Sequence, residues 1–147
     1  MTNLERAIEI AISAHKGQTD KGGNPYILHP LRVMISLESQ AEKMVGVLHD
    51  VVEDSDWTFE DLESEGFPVD VIDALKSVTK NESEHGSDEG YFRFVERAKL
   101  NPIGSRVKIA DLQDNLDISR IPELDENAIQ RINKYKRSLE ILTSSQA

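Results

Sequence analysis

Residues 44–54 read MVGVLHDVVED, an apolar run that encloses a His-Asp pair and ends in two further carboxylates. Valine is frequent in this run, so a strand would fit it locally. The pattern extends over 41–54, however, which is long for a strand, and no partner strand is evident elsewhere in the chain. The segment therefore predicts a buried helix, and with it a helical fold.

The four ionisable side chains of this run lie close together if it forms one helix. Glu53 is then one turn beyond His49, and Asp54 is one turn beyond Asp50. A His-Asp pair alone fits a satisfied core histidine beside a capping aspartate as well as it fits a metal site. Burying such charges costs free energy unless they are paired or bind a metal. The two additional carboxylates favour the cation, and those not used as ligands are available to orient or deprotonate a water.

Helical spacing of apolar residues continues through most of the chain. Thr2 and Glu5 have the spacing of a capping box at the start of the first helix. The predicted helices cover residues 2–17, 30–35, 41–54, 58–64, 69–78, 91–100, 103–116 and 126–142. The sequence thus predicts an all-α bundle of about seven or eight helices, in a single domain over 1–147 with its core at about 4–142.

The composition narrows the classes of function. The 147 residues include no cysteine and carry a formal net charge of -10. The lack of cysteine excludes disulfides and thiolate zinc sites, and it fits a reducing compartment. An acidic chain repels nucleic acid, and no run approaches the roughly 20 apolar residues of a membrane helix. We therefore expect a cytoplasmic protein, without a signal peptide, that binds neither nucleic acid nor membranes.

Two other segments carry residue types that bind metals. His29 precedes Pro30, and because residues before proline tend to be extended, the imidazole is expected at a junction where Pro30 begins a helix. Asp111 and Asn115 share a helical face, with Lys108 one turn earlier. An ordinary junction histidine and a helix-surface aspartate remain alternative interpretations. Imidazole and carboxylate together suit manganese, iron or zinc.

Four segments together resemble a known family: AHKGQTDKGGNPYILHP, LHDVVEDSDWTFEDL, VTK and VKIADLQDNL. They are similar to the HD-domain guanosine polyphosphate 3′-pyrophosphohydrolases of the stringent response, and most of all to the small alarmone hydrolases that lack a synthetase region. The similarity runs from about residue 7 to residue 116. It implies an all-α HD fold, one divalent metal ion with manganese as the expected metal, and a nucleotide substrate. The implied reaction removes pyrophosphate from the ribose 3′ position of guanosine tetra- and pentaphosphate.

The resemblance also implies roles for individual residues. The implied metal ligands are His29, His49, Asp50 and Asp111. The implied water-activating pair is Glu53 and Asp54. The residues expected to contact the substrate are Lys21 and Asn115, with Lys80 and Lys108 as further cations for its phosphates.

The chain departs from the family pattern at Asp20 and Leu112, and Gln113 and Asp114 replace further usual residues. An arginine is usual where this chain has Asp20, which changes the local charge by two units toward repulsion of a polyphosphate. A basic residue is usual where it has Leu112. Two alternatives therefore stand beside the alarmone hydrolase: an HD phosphohydrolase for another nucleotide or phosphomonoester, and a non-catalytic nucleotide-binding regulatory domain. A homodimer is a further expectation, although no apolar stripe is clearly left over for a partner.

Overall fold

The fold, described for residues 2–144 by a computed structural model, is all-helical over that range, which confirms the predicted class. Its α-helices are α1 (Asn3–His15), α2 (Leu28–Ile35), α3 (Gln40–Leu48), α4 (Val51–Asp54), α5 (Phe59–Ser64), α6 (Val69–Ser77), α7 (Asp88–Lys99), α8 (Pro102–Asn115) and α9 (Glu126–Thr143). Two 3₁₀ turns cover Glu82–Glu84 and Ile118–Arg120. Residue 1 and residues 145–147 of the predicted domain lie outside the described residues. Within that range, no helix has both the length and the hydropathy needed to cross a membrane.

Side-chain caps fix the starts of several helices. Thr2 and Glu5 form the predicted capping box at α1. The Ser39 side chain caps α3, and the Asn101 side chain caps α8, where Pro102 takes a first-turn position that needs no N–H donor. These caps accept hydrogen bonds from backbone N–H groups of the first turn that would otherwise lack partners, so the starts of these helices follow from the local sequence.

The prediction of one continuous helix over 41–54 is wrong, because α3 and α4 are separate. His49 Nδ1 lies 2.6 Å from the carbonyl oxygen of Gly46 and donates to it. In a continuous helix that carbonyl would accept from the N–H of Asp50, which instead adopts φ -106° and ψ 1°. The His-Asp pair therefore lies at the junction between two helices and not in the middle of one.

The start of α2 also differs from the prediction. It begins at Leu28, so His29 is helical, and Pro30 is the third residue of the helix and not the first. A proline is tolerated in the first turn because N–H groups there have no intrahelical acceptor. This rule outweighs the extended preference of a residue before proline, and His29 gains the fixed direction of a helical side chain.

The core lies around α3, which packs on α1, α2, α6 and α8. Val45, Val47 and Val51 are fully buried there, and each such side chain stabilises the fold by roughly 1.5–3 kcal/mol. A smaller apolar cluster joins α7, α8 and α9 and includes Tyr91 and Leu112. Helix α8 thus belongs to both apolar clusters, with Val107 in the larger one and Leu112 in the smaller one.

Candidate metal and hydrolytic site

Three side chains from three helical segments meet in the interior. His29 lies on α2, His49 follows α3 and Asp111 lies on α8, and each offers a ligand atom within 4.8 Å of the other two. Asp111 Oδ1 is 2.9 Å from His29 Nε2 and 3.3 Å from His49 Nε2. All three residues are buried. The chain therefore brings two imidazoles and a carboxylate to one place from distant parts of the sequence.

Asp50, the fourth predicted ligand, adjoins this group. Its Oδ2 is 3.1 Å from His49 Nε2 and 3.9 Å from His29 Nε2. The Tyr26 hydroxyl donates a hydrogen bond to the same oxygen. The four predicted ligands thus form one cluster, in which Tyr26 restrains Asp50.

The chemistry of these donor atoms fits a single divalent metal ion. His49 Nε2 is buried and has no hydrogen-bond partner among residues 2–144. Since Nδ1 of His49 donates to the Gly46 carbonyl, the neutral ring directs the lone pair of Nε2 at the oxygens of Asp50 and Asp111. Acceptors that face each other with no donor between them are unfavourable, and a cation satisfies all of them. Two imidazoles with two carboxylates suit borderline first-row metals.

The charges within the cluster support one another. Burial lowers the pKa of His49, but Asp50 and Asp111 outweigh it, so the pKa is raised well above its usual value. Burial raises the pKa of Asp111, but Lys108 and the histidines outweigh it and lower the pKa well below the usual range. A proton on an imidazole therefore stabilises the cluster when no cation is bound, and metal binding releases it.

Lys108 is closely tied to the cluster. Its Nζ donates to Asp111 Oδ2 at 2.8 Å and lies 5.1 Å from the centroid of the Tyr91 ring and 4.8 Å from that of Phe94. The side chain is buried and nevertheless lines the adjoining cavity. Its ammonium is thus already paired with a carboxylate, whereas the sequence predicted a cation directed at substrate phosphates.

The two predicted water-activating carboxylates lie on α4. Glu53 lines the cavity, and its Oε1 accepts the backbone N–H of Lys80 at 2.6 Å. Asp54 does not line the cavity, and its main-chain carbonyl accepts from Gln18 Nε2 at 2.8 Å. Burial, together with the charges of Asp50 and Glu53, raises the pKa of Asp54 to about 6. A carboxyl group with a pKa close to neutral is suited to act as a general base.

The raised pKa of Asp54 predicts that Asp54→Asn stabilises the metal-free protein at neutral pH. The carboxyl ionises at about pH 4 in the unfolded chain but at about pH 6 in the folded one. Stability therefore falls as pH rises through this window and stays at the lower level above it. Thermal unfolding in chelator should give the variant a higher Tm than the parent at pH 7.5, with the gain shrinking toward pH 4. A gain of equal size at both pH values would contradict this assignment.

A cavity of about 790 Å³ adjoins the cluster, a volume in the range of small-molecule sites. The four predicted ligands all contribute to its wall. So do the four predicted substrate residues, Lys21, Lys80, Lys108 and Asn115. Asn115 Nδ2 also donates to Asp111 Oδ1 at 3.2 Å, which ties it to the cluster of predicted ligands as well as to the cavity.

Sequence reasoning missed the part of the cavity wall that α9 supplies, which includes Arg131 and Tyr135. They are four residues apart and so share one helical face, which was the available signal. Tyr26 was missed as well, although it precedes the predicted ligand His29 by only three residues. The cavity therefore has a basic and aromatic wall beyond the predicted lysines.

Two of the departures from the family pattern, Asp20 and Leu112, have structural explanations. Asp20 Oδ1 accepts the backbone N–H groups of Gly22 and Asn24, both at 2.9 Å, and so shapes the loop between α1 and α2. Leu112 is fully buried in the cluster that joins α7, α8 and α9. Neither position supplies a cation to the cavity, although the carboxylate of Asp20 does line it.

No protein-family profile matches the chain. It is 32% identical over 149 residues to a GTP pyrophosphokinase of Streptomyces coelicolor, an alignment that covers 96% of this chain and 17% of the relative. It is 32% identical over 120 residues to a guanosine-3′,5′-bis(diphosphate) 3′-pyrophosphohydrolase of Aquifex aeolicus, covering 77% of this chain and 17% of that protein. The chain thus spans under a fifth of the length of these relatives.

A solved structure is similar over the whole fold. It is described as a metazoan ortholog of SpoT that hydrolyses ppGpp and plays a role in starvation responses. The match has a TM-score of 0.82 at 25% identity and covers 100% of this chain and 89% of that chain. The agreement in fold thus extends beyond the motifs that surround His29, His49 and Asp111.

Proposed function

Because the chain belongs to the family of HD-domain guanosine polyphosphate 3′-pyrophosphohydrolases, we propose that it removes the 3′-pyrophosphate from guanosine tetra- and pentaphosphate. The observation that carries this proposal is His49 Nε2, a buried nitrogen without a partner that lies beside two carboxylates. It belongs to the wall of a cavity large enough for a nucleotide. A hydrolytic metal centre and a substrate pocket therefore coincide.

In this proposal His29, His49, Asp50 and Asp111 hold one divalent metal ion. When bound, the ion supplies Lewis-acid stabilisation of the charge that develops on the phosphate ester. Manganese is proposed because the family resemblance implies it, and the donor set of two imidazoles and two carboxylates accepts iron or zinc as well. Metal analysis of the purified protein, without added metal, tests that choice.

The residues of the chain then perform the proton transfer. Glu53 and Asp54 hold a water and take its proton, for which the raised pKa of Asp54 is suited. The hydroxide attacks the phosphorus bonded to the ribose 3′ oxygen, that P–O bond breaks and the 3′ oxygen takes up a proton. The products are pyrophosphate and GDP from the tetraphosphate, or pyrophosphate and GTP from the pentaphosphate. Lys21 and Lys80 line the same cavity and neutralise substrate phosphates.

Further parts of the proposal concern the setting of this activity. We propose one HD domain over residues 1–147 and a cytoplasmic location, in keeping with the lack of cysteine. The net charge of -10 supports a protein that does not bind nucleic acid. The homodimer stays a prediction, and sedimentation of the full chain tests it.

Asp20 favours a second candidate, a phosphohydrolase of the same chemistry with another nucleotide or phosphomonoester as substrate. Its carboxylate lies in the cavity wall where a family member would present a cation. A negative group there weakens the attraction for a highly charged polyphosphate. The departure at Asp20 thus concerns a position expected to recognise the substrate, whereas the proposed metal ligands match the family pattern.

A panel of substrates separates the two candidates. The manganese-loaded protein is incubated with guanosine tetraphosphate, guanosine pentaphosphate, common nucleoside mono- and triphosphates and a phosphomonoester, and the released phosphate species are identified. Pyrophosphate released from the guanosine polyphosphates alone supports the first candidate. Orthophosphate released from another substrate, with the guanosine polyphosphates left intact, supports the second.

A further inference from the structure

We infer that Asp114 is a positioning residue for His29, an inference that rests on the metal site of the proposed function. His29 Nδ1 is 2.7 Å from Asp114 Oδ2. An ionised carboxylate only accepts hydrogen bonds, so Nδ1 carries the proton that it donates to Asp114, and Nε2 is the ring nitrogen that remains to bind a metal ion once its own proton is displaced. Nε2 points into the cluster, where it is 2.9 Å from Asp111 Oδ1. Asp114 therefore selects the tautomer that a metal ligand requires.

Arg32 fixes the carboxylate that performs this selection. Its Nε donates to Asp114 Oδ1 at 2.8 Å and its Nη2 donates to Oδ2 at 3.1 Å, which is a bidentate pair. Arg32 lies one turn after His29 on α2, so both side chains reach Asp114 from the same helical face. This bidentate pair fixes the plane of the Asp114 carboxylate and thereby the direction of its hydrogen bond with the His29 imidazole.

Arg120, which follows Asp114 by only six residues, also holds this carboxylate. Its Nη2 is 3.0 Å from Asp114 Oδ1 and donates to the Asp114 carbonyl at 2.5 Å. Its Nη1 also contacts Asp117, at 2.7 Å. The carboxylate of Asp114, with only 12% of its side chain exposed, thus lies among two guanidinium groups and one imidazole. Its contacts with both arginines and with His29 leave little freedom for it to turn away.

A purely structural role for Asp114 makes a different prediction. If Asp114 served only to join helices through its arginines, its replacement would lower stability and leave metal affinity unchanged. If it positions His29, the metal affinity falls, because an outer partner of a metal-binding histidine typically contributes 10–100-fold to affinity. Metal affinity is therefore the measurement that distinguishes the two roles.

The experiment titrates Mn²⁺ into chelator-treated full chain and follows binding by electron paramagnetic resonance. Asp114→Asn removes the charge and leaves one acceptor for several donors, and we expect its affinity to fall by about 10–100-fold. Asp117→Asn is the matched control, because Asp117 contacts Arg120 but not His29, and its affinity should stay within about twofold of the parent. Arg32→Gln keeps the Asp114 carboxylate but removes its bidentate pair with Arg32, and a smaller loss of Mn²⁺ affinity is expected. It also keeps the test decisive if Asp114→Asn fails to fold.

Each outcome has a distinct meaning. Weaker binding in Asp114→Asn and Arg32→Gln, with the control unchanged, supports the inference. Unchanged affinity in a folded Asp114→Asn protein, or an equal loss in Asp117→Asn, overturns it and leaves the proposed metal site intact. A parent protein that binds no Mn²⁺ contradicts the metal site of the proposed function, and the positioning role falls with it.

Discussion

Asp111→Ala is expected to abolish metal binding and turnover and to destabilise the protein at the same time. Asp111 accepts hydrogen bonds from Lys108 and Asn115 and lies within ligand distance of both histidines. Removing one partner of a buried ion pair costs about 3–5 kcal/mol, here because the ammonium of Lys108 stays buried without its carboxylate. Metal analysis and urea unfolding of the purified variant measure the two effects.

Two control variants separate these effects. Lys108→Met combined with Asp111→Ala also removes the unpaired buried ammonium. Much of the lost stability should therefore return, while metal binding stays absent. Asp73→Ala removes an exposed carboxylate from α6 and should change the free energy of unfolding by less than about 0.5 kcal/mol. Stoichiometric metal in the folded Asp111→Ala protein would contradict the assignment of Asp111 as a ligand.

Glu53→Gln combined with Asp54→Asn is expected to lower kcat by about 10²–10⁴-fold while metal content stays at the level of the parent. Amides match the carboxylates in size but cannot take a proton from water. Neither Glu53 nor Asp54 belongs to the group of residues that could hold a metal ion, so the loss of activity should be confined to the chemical step. Steady-state kinetics with metal analysis of the same samples provide the measurement.

The matched control removes two carboxylates from the neighbouring helix. Glu60 and Glu63 of α5 are exposed and lie outside the cavity wall. Their double replacement by glutamine makes the same change in net charge and should leave kcat unaltered. Full activity in the Glu53 and Asp54 double variant would show that another group accepts the proton of the water.

Features that depend on residue type and short spacing could be predicted from the sequence. The capping box at Thr2 formed as expected, because its two partners are three residues apart. The sequence also named the three residues that the structure places in one cluster, His29, His49 and Asp111, through the resemblance of their segments to a known family. Their assignment as metal ligands stays a prediction.

Features that depend on one specific hydrogen bond could not be predicted. The break at His49 follows from its contact with the Gly46 carbonyl, a choice that helical periodicity does not encode. The pairing of Lys108 with Asp111 depends on which way a flexible side chain turns within one helix. The sequence marked Asp114 only as a departure from the family pattern and gave it no role, because its partner Arg32 is 82 residues away in sequence. Long-range pairs of this kind become visible only once the helices are packed.

The most direct test of the central claim is incubation of the purified, manganese-loaded chain with guanosine tetraphosphate, with the products identified by chromatography and mass spectrometry. We predict equal amounts of GDP and pyrophosphate, and no release by a His49→Ala variant. Intact guanosine tetraphosphate after incubation with a protein that demonstrably holds its metal ion would contradict the claim.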